Sequence, residues 1–394
     1  MSDPQSDPKW PRSILIYSSS AAGGMPHYAH YQAQELARRG IAVTMLCRPD
    51  HPWAASPTSY TMLRRLPVPP IGRGLVAKAL RVWCHIWGHF VLLGAIMQMR
   101  PSAVLFEENT EYFAAIWAWP HILLRWLGLP YIINLHDPVR ALWFGPRWFG
   151  RLSLWAAYRV LKGGLIHGEP PAGAYLPRWM VTEIVPHGLF GHMAEREPPF
   201  DLRERLGIAP DAFVLLSFGH ITDRKNQHLL VEAMAQVPGA VLVIAGPQPS
   251  TRQRGAAFYR QQAAALGCAD RVHVIDRFIP DDEAAACFAA ADAAALTYDR
   301  TFVSQSGVLQ LAAQWNRPVL ASGGDGPLRA AVEGSGIGIF VEPDSTAAIV
   351  SGLQSLMASP PPDPARFAAF RESASWEANV DGMLRLLRRV KGLG

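Results

Sequence analysis

The chain runs to 394 residues, 49% hydrophobic, 10% aromatic and 18% charged. At roughly 100–200 residues per domain this suffices for two cores, and it excludes a single small binding module or a disordered polymer. Lys and Arg total 37 against 32 Asp and Glu, a formal charge of +5, too mild for a protein that coats nucleic acid; anionic ligands or a membrane face stay open.

The first dozen residues are polar and proline-rich, so no signal peptide is expected. Ser13 to Ser18 is a short apolar run of β-formers, followed by the turn Ala22-Gly23-Gly24 and a helix-like stretch from His27 to Arg39 that closes at Gly40. Ile41 to Leu46 reads as the next strand. Val82 to Met99 is free of formal charge and long enough to test as a membrane span, but His85 and His89 interrupt it, and we read it as a buried or interfacial helix. Ala103 to Phe106 and Tyr131 to Leu135 are further buried strands flanked by helical stretches, an alternation that argues for a parallel sheet wrapped by helices.

After Glu197-Pro198-Pro199 the rhythm restarts. Strands are expected at Phe213–Phe218, Ala240–Ala245, Val272–Ile275, Ala293–Leu296, Pro318–Ala321 and Gly338–Val341, with helices at Gln227–Gln236, Asp282–Ala290 and Ser306–Gln314. A last helix, Trp376 to Val390, follows the break at Pro360-Pro361-Pro362. The economical reading is an α/β chain of two Rossmann-like domains, 1–195 and 206–375, facing across a cleft that receives the ligand beyond the carboxyl ends of the strands. Residues 376–394 form a terminal helix that can cross back to the first domain. The cysteines Cys47, Cys84, Cys268 and Cys287 are scattered without a CxxC pair, which argues against a zinc site or a disulfide framework and for a reducing cytoplasm.

Several segments carry more specific information: FGHITDRKNQHLLVEAM (218–234), VLVIAGP (241–247), HVIDRFIPDDEAAACFAAADAAALTY (273–298), SGVLQLAAQWNRPVLAS (306–322) and the closing ASWEANVDGMLRLL (374–387), together with the glycine-loop start AAGGMPHYAHYQAQELARRGIAVTML. Over nearly its whole length the chain resembles the family 4 glycosyltransferases, retaining enzymes of GT-B fold that take sugars from nucleotide-sugar donors. The resemblance implies a hexosyltransferase that delivers to a glycan or lipid-linked saccharide in cell-surface or exopolysaccharide biosynthesis. It implies no metal or other cofactor, the nucleotide-sugar being a substrate.

A departing nucleoside diphosphate needs cations and backbone N–H donors, because negative charge builds on it as the glycosidic bond breaks. Lys225, on the loop after the strand FVLLSF, matches the family's phosphate-binding lysine, with Arg224 beside it. Many relatives place an arginine just after the strand glycine; here Gly219 is followed by His220, a titratable substitute. Ser306, Gly307 and Val308 open a helix whose N-terminus is expected to face the diphosphate, with Ser306 as N-cap. The family's glutamate pair would fall at Val303 and Leu311, and neither is acidic, as in a branch with the SGVLLLA-type pattern. Asp299 and Arg300 are candidates for the donor sugar or, equally, a surface ion pair. Phe278 and Ile279 are expected beside the base.

In the first half, Gly23 and Gly24 would bring backbone N–H groups to the donor. His136, in His136-Asp137 after YIINL, resembles the family's histidine that touches the transferred sugar. Of Glu107-Glu108-Asn109, one carboxylate could accept the acceptor's proton, or all could be solvated loop charge. His187-Gly188 resembles the inter-domain turn. From Arg73 to Lys162, basic residues interleave with Trp, Phe and Leu, which suits either an anionic lipid surface or an aromatic core with ordinary surface charge. Two rival functions stay open, a catalytically silent binding or scaffold subunit and a nucleotide-sugar epimerase. The expected location is cytoplasmic, with a peripheral place on the inner membrane face open.

Overall fold

The computed structural model describes residues 10–72, 74–107, 111–137, 145–170, 173–190 and 196–392. They form an α/β chain of two compact units, one of residues 1–188 with 376–394, the other of residues 189–375.

In the first unit, seven strands lie in the order β3-β2-β1-β4-β5-β6-β7, all neighbours parallel: β1 Ser13–Ser18, β2 Ala42–Cys47, β3 Thr61–Arg64, β4 Ala103–Phe106, β5 Tyr131–Asn134, β6 Gly163–Ile166 and β7 Val181–Ile184. β1, β4, β5 and β6 are buried on both faces, or nearly so, as crossover helices covering a parallel sheet require. The first helix, Gly24–Arg38, starts three residues before its expected position. Gly23 precedes it at φ 76° and ψ −162°, a conformation open in practice only to glycine, so the Gly-Gly pair is the helix entry as well as the turn.

The long helix Leu75–Met99 covers Val82–Met99 and is long and apolar enough to cross a membrane by length and composition. Gly88, His89, Leu92, Ala95 and Ile96 nevertheless face the first unit's core, and His89 stacks on Trp117 with ring centroids 3.5 Å apart. The two histidines that break the charge-free run therefore serve packing: His85 Nε2 donates to the Tyr112 carbonyl, and His89 fills an aromatic layer.

The second unit carries six parallel strands in the order β10-β9-β8-β11-β12-β13: β8 Phe213–Phe218, β9 Ala240–Ala245, β10 Val272–Ile275, β11 Ala293–Thr297, β12 Val319–Ser322 and β13 Gly338–Phe340. Sheets of these orders, each reversing direction of winding at its first strand, are the doubly wound arrangement whose ligands gather at the carboxyl ends of the strands.

The final helix, Trp376–Lys391, packs on the first unit. Val380, Met383, Leu386, Leu387 and Val390 recur at helical spacing and join Ile14, Ile16, Leu36 and Leu165 in one core. Asn379, fully buried, donates to the Tyr28 hydroxyl at 2.6 Å and to the Pro186 carbonyl at 2.7 Å, and accepts from Gln32 at 2.8 Å. Arg385 and Arg389 pair with Glu183 at the rim. Trp376 lies against Gly188, where an added Cβ would stand 2.4 Å from the indole and where φ is +84°. Gly188→Ala should therefore destabilise the first unit by about 2–4 kcal/mol, from overpacking plus left-handed strain. A lowered urea midpoint checks this; an unchanged midpoint would show that the indole yields freely.

Candidate functional site

Two groups of candidate residues stand at strand ends, one in each unit. In the first, four consecutive neighbours in the sheet end in ionisable side chains: Glu107 follows β4, His136 lies two residues past β5, His167 follows β6 and His187 lies three past β7. Strands in a sheet are about 4.8 Å apart, and the rings keep that spacing, with centroids 5.1 Å apart for His136 and His167 and 5.0 Å for His167 and His187. Tyr28, from the first helix, sets its ring edge-on to His136 at 4.6 Å.

Hydrogen bonds run continuously through this row. His167 Nδ1 lies 3.2 Å from the Val185 carbonyl, its Nε2 3.1 Å from His136 Nδ1, and His136 Nε2 3.2 Å from Glu107 Oε1. Asn134 donates to Glu107 Oε2 at 2.7 Å and to Gln32 at 2.9 Å, which joins the row to Asn379. A carbonyl can only accept, so His167 carries its proton on Nδ1 and presents a lone pair from Nε2. His136 must then donate from Nδ1. A neutral His136 would accept at Nε2, which makes Glu107 the donor, as a carboxylic acid; otherwise His136 is an imidazolium facing a carboxylate. In both states one proton lies between His136 Nε2 and Glu107 Oε1, in addition to the one on His136 Nδ1.

Burial favours the uncharged version. It pushes Glu107 well above the usual carboxylate range, opposed by the Asn134 hydrogen bond, and lowers His136 to about 4. Burial, then the neighbouring histidines, holds His167 well below its ordinary value, and burial brings His187 to about 3. Glu107 is wholly buried, so the reading of this loop as solvated charge is corrected at that residue. Glu108 and Asn109 lie outside the described residues, as do Arg73 and Pro138. Asp137 is exposed.

In the second unit, Lys225 closes a 3₁₀ turn, Asp223–Lys225, after β8. Its ammonium turns back to the Phe218 carbonyl at 2.5 Å, above Gly219, whose absent side chain leaves the room: a Cβ there would sit 3.2 Å from Nζ. Burial lowers Lys225 to about 8. The backbone of this turn is tied to β11, with Thr297 Oγ1 donating to the Lys225 carbonyl at 2.9 Å and the Asp299 N–H to the Arg224 carbonyl at 2.8 Å. Arg224 is exposed, its guanidinium 5.4 Å above the Phe302 ring, which stacks on Tyr298. His220 is exposed over part of its surface, while partial loss of water around the ring, then the Lys225 charge, hold it below its ordinary value.

Ser306 precedes the helix Gly307–Gln314, but its hydroxyl bonds the Tyr298 hydroxyl at 3.0 Å and makes no cap. The expected Ser306 cap is therefore corrected: a buried tyrosine competes for the side chain, while Gly307 and Val308 still form the first turn. Asp299 accepts from the Thr301 N–H and hydroxyl, and Arg300 pairs with Glu342 and Asp344, so the ion-pair reading of this loop holds for Arg300. Phe278 is 65% exposed, whereas Ile279 is buried. Leu311 is buried in the core, a packing position.

Buried and half-buried histidines of the first unit set a pH dependence. Burial depresses His51, His121 and His136 to about 4 and His187 to about 3, and lowers His89 and His167 well below normal. As pH falls through about 6.5, the unfolded chain takes up a proton at each while the folded chain does not, so each removes up to about 1.4 kcal/mol of stability per pH unit. Glu107 opposes this, because the folded state keeps a proton the unfolded state has lost; it is one group against these six and His85, which burial lowers as well. Urea midpoints should fall steeply from pH 6.5 to 4.5. A flat profile would mean these imidazoles are not buried neutral.

Comparison with known proteins accords with this construction. The family description "Glycosyl transferase 4-like domain" matches residues 23–164 and "Glycosyl transferases group 1" matches residues 200–374. The D-inositol 3-phosphate glycosyltransferase of Rhodococcus jostii is 30% identical over 202 residues, covering 47% of this chain and 42% of that protein, and the one from Geodermatophilus obscurus is 31% identical over 220 residues, covering 52% and 46%. The chain thus spans a little under half the length of the curated relatives it matches. Among solved structures, sucrose-phosphate synthase from Thermosynechococcus elongatus superposes with a TM-score of 0.70 at 20% identity, over 97% of this chain and 100% of that one. Anabaena HepE in complex with UDP and glucose gives 0.65 at 19%, over 97% and 99%. These likenesses show the fold, and with the two family matches they lead to one conclusion: the chain belongs to the family 4 glycosyltransferases of GT-B fold.

Proposed function

We propose that the protein moves a hexose, with retention, from a nucleotide-diphosphate sugar to a glycan or lipid-linked saccharide in cell-surface or exopolysaccharide biosynthesis, on the cytoplasmic side of the membrane. The observation that carries the reading is Lys225, a lysine sunk beside a strand-end glycine where its charge is poorly hydrated and available to a phosphate. A nucleotide-sugar donor is also supported by HepE, whose structures hold UDP and UDP-glucose.

In this reading the bond from the anomeric carbon to the diphosphate oxygen breaks as the acceptor oxygen bonds to the same face. The acceptor's proton passes to the leaving phosphate, and a glycoside and a nucleoside diphosphate result. Lys225, Arg224 and His220 meet the diphosphate, helped by the positive end of the helix Gly307–Gln314. Asp299 and the backbone at Phe278 and Ile279 attend the sugar and base, while Gly23, Gly24 and His136 attend the donor from the first unit. Neutralisation by these groups requires no metal at the diphosphate. Lys225→Ala should lower transfer by about 10²–10³-fold or more with the fold intact, and His136→Ala should cost less, through sugar positioning. Near-wild-type turnover by Lys225→Ala would remove the assignment.

The first unit also supports a membrane role. Leu75, Leu80, Trp83, Trp87, Trp119, Trp126, Trp148 and Trp155 are exposed on three helices, Leu75–Met99, Ala114–Trp126 and Arg147–Val160, which also expose Lys78, Arg147, Arg151 and Arg159. Tryptophans suit the headgroup zone, and each cation near an anionic surface adds up to about 1 kcal/mol. The protein should co-sediment with vesicles containing anionic lipid, much less with neutral ones, and should be released as the Debye length falls below roughly 8 Å. Equal recovery in the supernatant with both vesicle types at low salt would contradict docking.

A further inference from the structure

We propose that His136, His167 and His187 form a binding site for a divalent transition-metal ion of the zinc class, distinct from the handling of the donor's diphosphate. One ring nitrogen from each histidine lies within 4.8 Å of the other two, and His136 Nδ1 and His167 Nε2 are 3.1 Å apart. Tetrahedral zinc, with nitrogen ligands at about 2.0–2.1 Å, holds its nitrogens roughly 3.3–3.4 Å apart, so small ring rotations would seat an ion.

The outer nitrogens are arranged as ligand histidines need them. A metal-bound imidazole is held by a partner on its other nitrogen, usually a carboxylate or backbone carbonyl. Here His136 Nε2 faces Glu107 Oε1, His167 Nδ1 faces the Val185 carbonyl, and His187 Nδ1 lies 3.3 Å from the Gly188 carbonyl. With Glu107 as a carboxylate, His136 donates from Nε2, and its Nδ1 lone pair points at the lone pair on His167 Nε2. Without metal the proton on His136 Nδ1 occupies this gap, and an ion would displace that proton and take both lone pairs. The histidines remain partly open to solvent, which gives an ion a way in, and three protein ligands leave a fourth position for water or a substrate oxygen.

Metal motifs in a sequence are short, and these ligands are 31 and then 20 residues apart, because they come from successive strands. This is why the reading of the cysteines alone pointed away from zinc. The site belongs to the first unit's sheet, and an ion on Nδ1 with Glu107 on Nε2 would leave His136 no nitrogen for the donor sugar, so its test reads binding rather than turnover.

The full chain, stripped with chelator, is titrated with Zn²⁺ alone against a chromogenic competitor, and separately with Co²⁺ while the visible spectrum is recorded. One ion per chain with micromolar or tighter affinity is expected, with the intense d–d bands of four- or five-coordinate cobalt. His167→Ala and His187→Ala should weaken binding by about 100-fold or more, Glu107→Gln by about 10–100-fold, and the remote His228→Ala not at all. Substoichiometric zinc, a weak octahedral cobalt spectrum, or unchanged affinity in folded His167→Ala and His187→Ala would each overturn the site. Should the variants fail to fold, wild-type stoichiometry and the cobalt bands decide alone.

Discussion

Parallel strands at about 4.8 Å spacing deliver whatever follows them to one edge, side by side. In the first unit this places Glu107, His136, His167 and His187 in a row, although the chain spreads them over some eighty positions. No local turn could hold four ionisable groups at ring-contact distance with such economy. The sheet does so because the strand cores, Val104–Phe106, Tyr131–Ile133 and Leu165–Ile166, are locked by apolar burial, which leaves the strand-end residues no freedom to separate.

That closeness has a cost, since buried polar groups must be paired. The row is paired by a chain of partners that reaches from the Val185 carbonyl through His167, His136, Glu107, Asn134 and Gln32 to Asn379 and Tyr28, with Asn134 Oδ1 alone in it left without a partner among the described residues. The last helix is therefore more than a cap on the sheet: Asn379 ties the network that includes Glu107 and His136 to Tyr28 and the Pro186 carbonyl. The second unit obeys the same edge rule with a different solution. Lys225 is kept charged and partly desolvated by a single carbonyl, and the loops after β8 and β11 brace one another through backbone hydrogen bonds.

Much of this was legible in the sequence. The long apolar strands FVLLSF and AVLVIA fall where their composition puts them, and so do the helices after them, because continuous burial and β-branching leave few alternatives. The short strands TMLR and VTEI at the sheet's two edges and GGLI beside the latter carried no such signal, being four residues long and either polar or glycine-led. His167 was missed for the same reason, since it follows one of these unseen strands, and His187 registered as a turn only. Lys225 and His136 could be found by resemblance, but the burial of Glu107 could not: a carboxylate in a loop and one under a network look alike in one dimension. Ser306 shows the converse, a good cap residue drawn off by a tyrosine eight positions earlier.

The central claim is that this fold activates a nucleotide-sugar for glycosyl transfer. Incubating the purified protein with a panel of nucleotide-sugars, without acceptor, tests it most directly, because a transferase that polarises the diphosphate leaks slow hydrolysis to water. The account predicts release of the nucleoside diphosphate and free sugar from one donor in preference to the rest. Binding without turnover across the panel would contradict it in favour of a silent subunit, and recovery of an epimerised nucleotide-sugar would contradict it in favour of a different chemistry on the same fold.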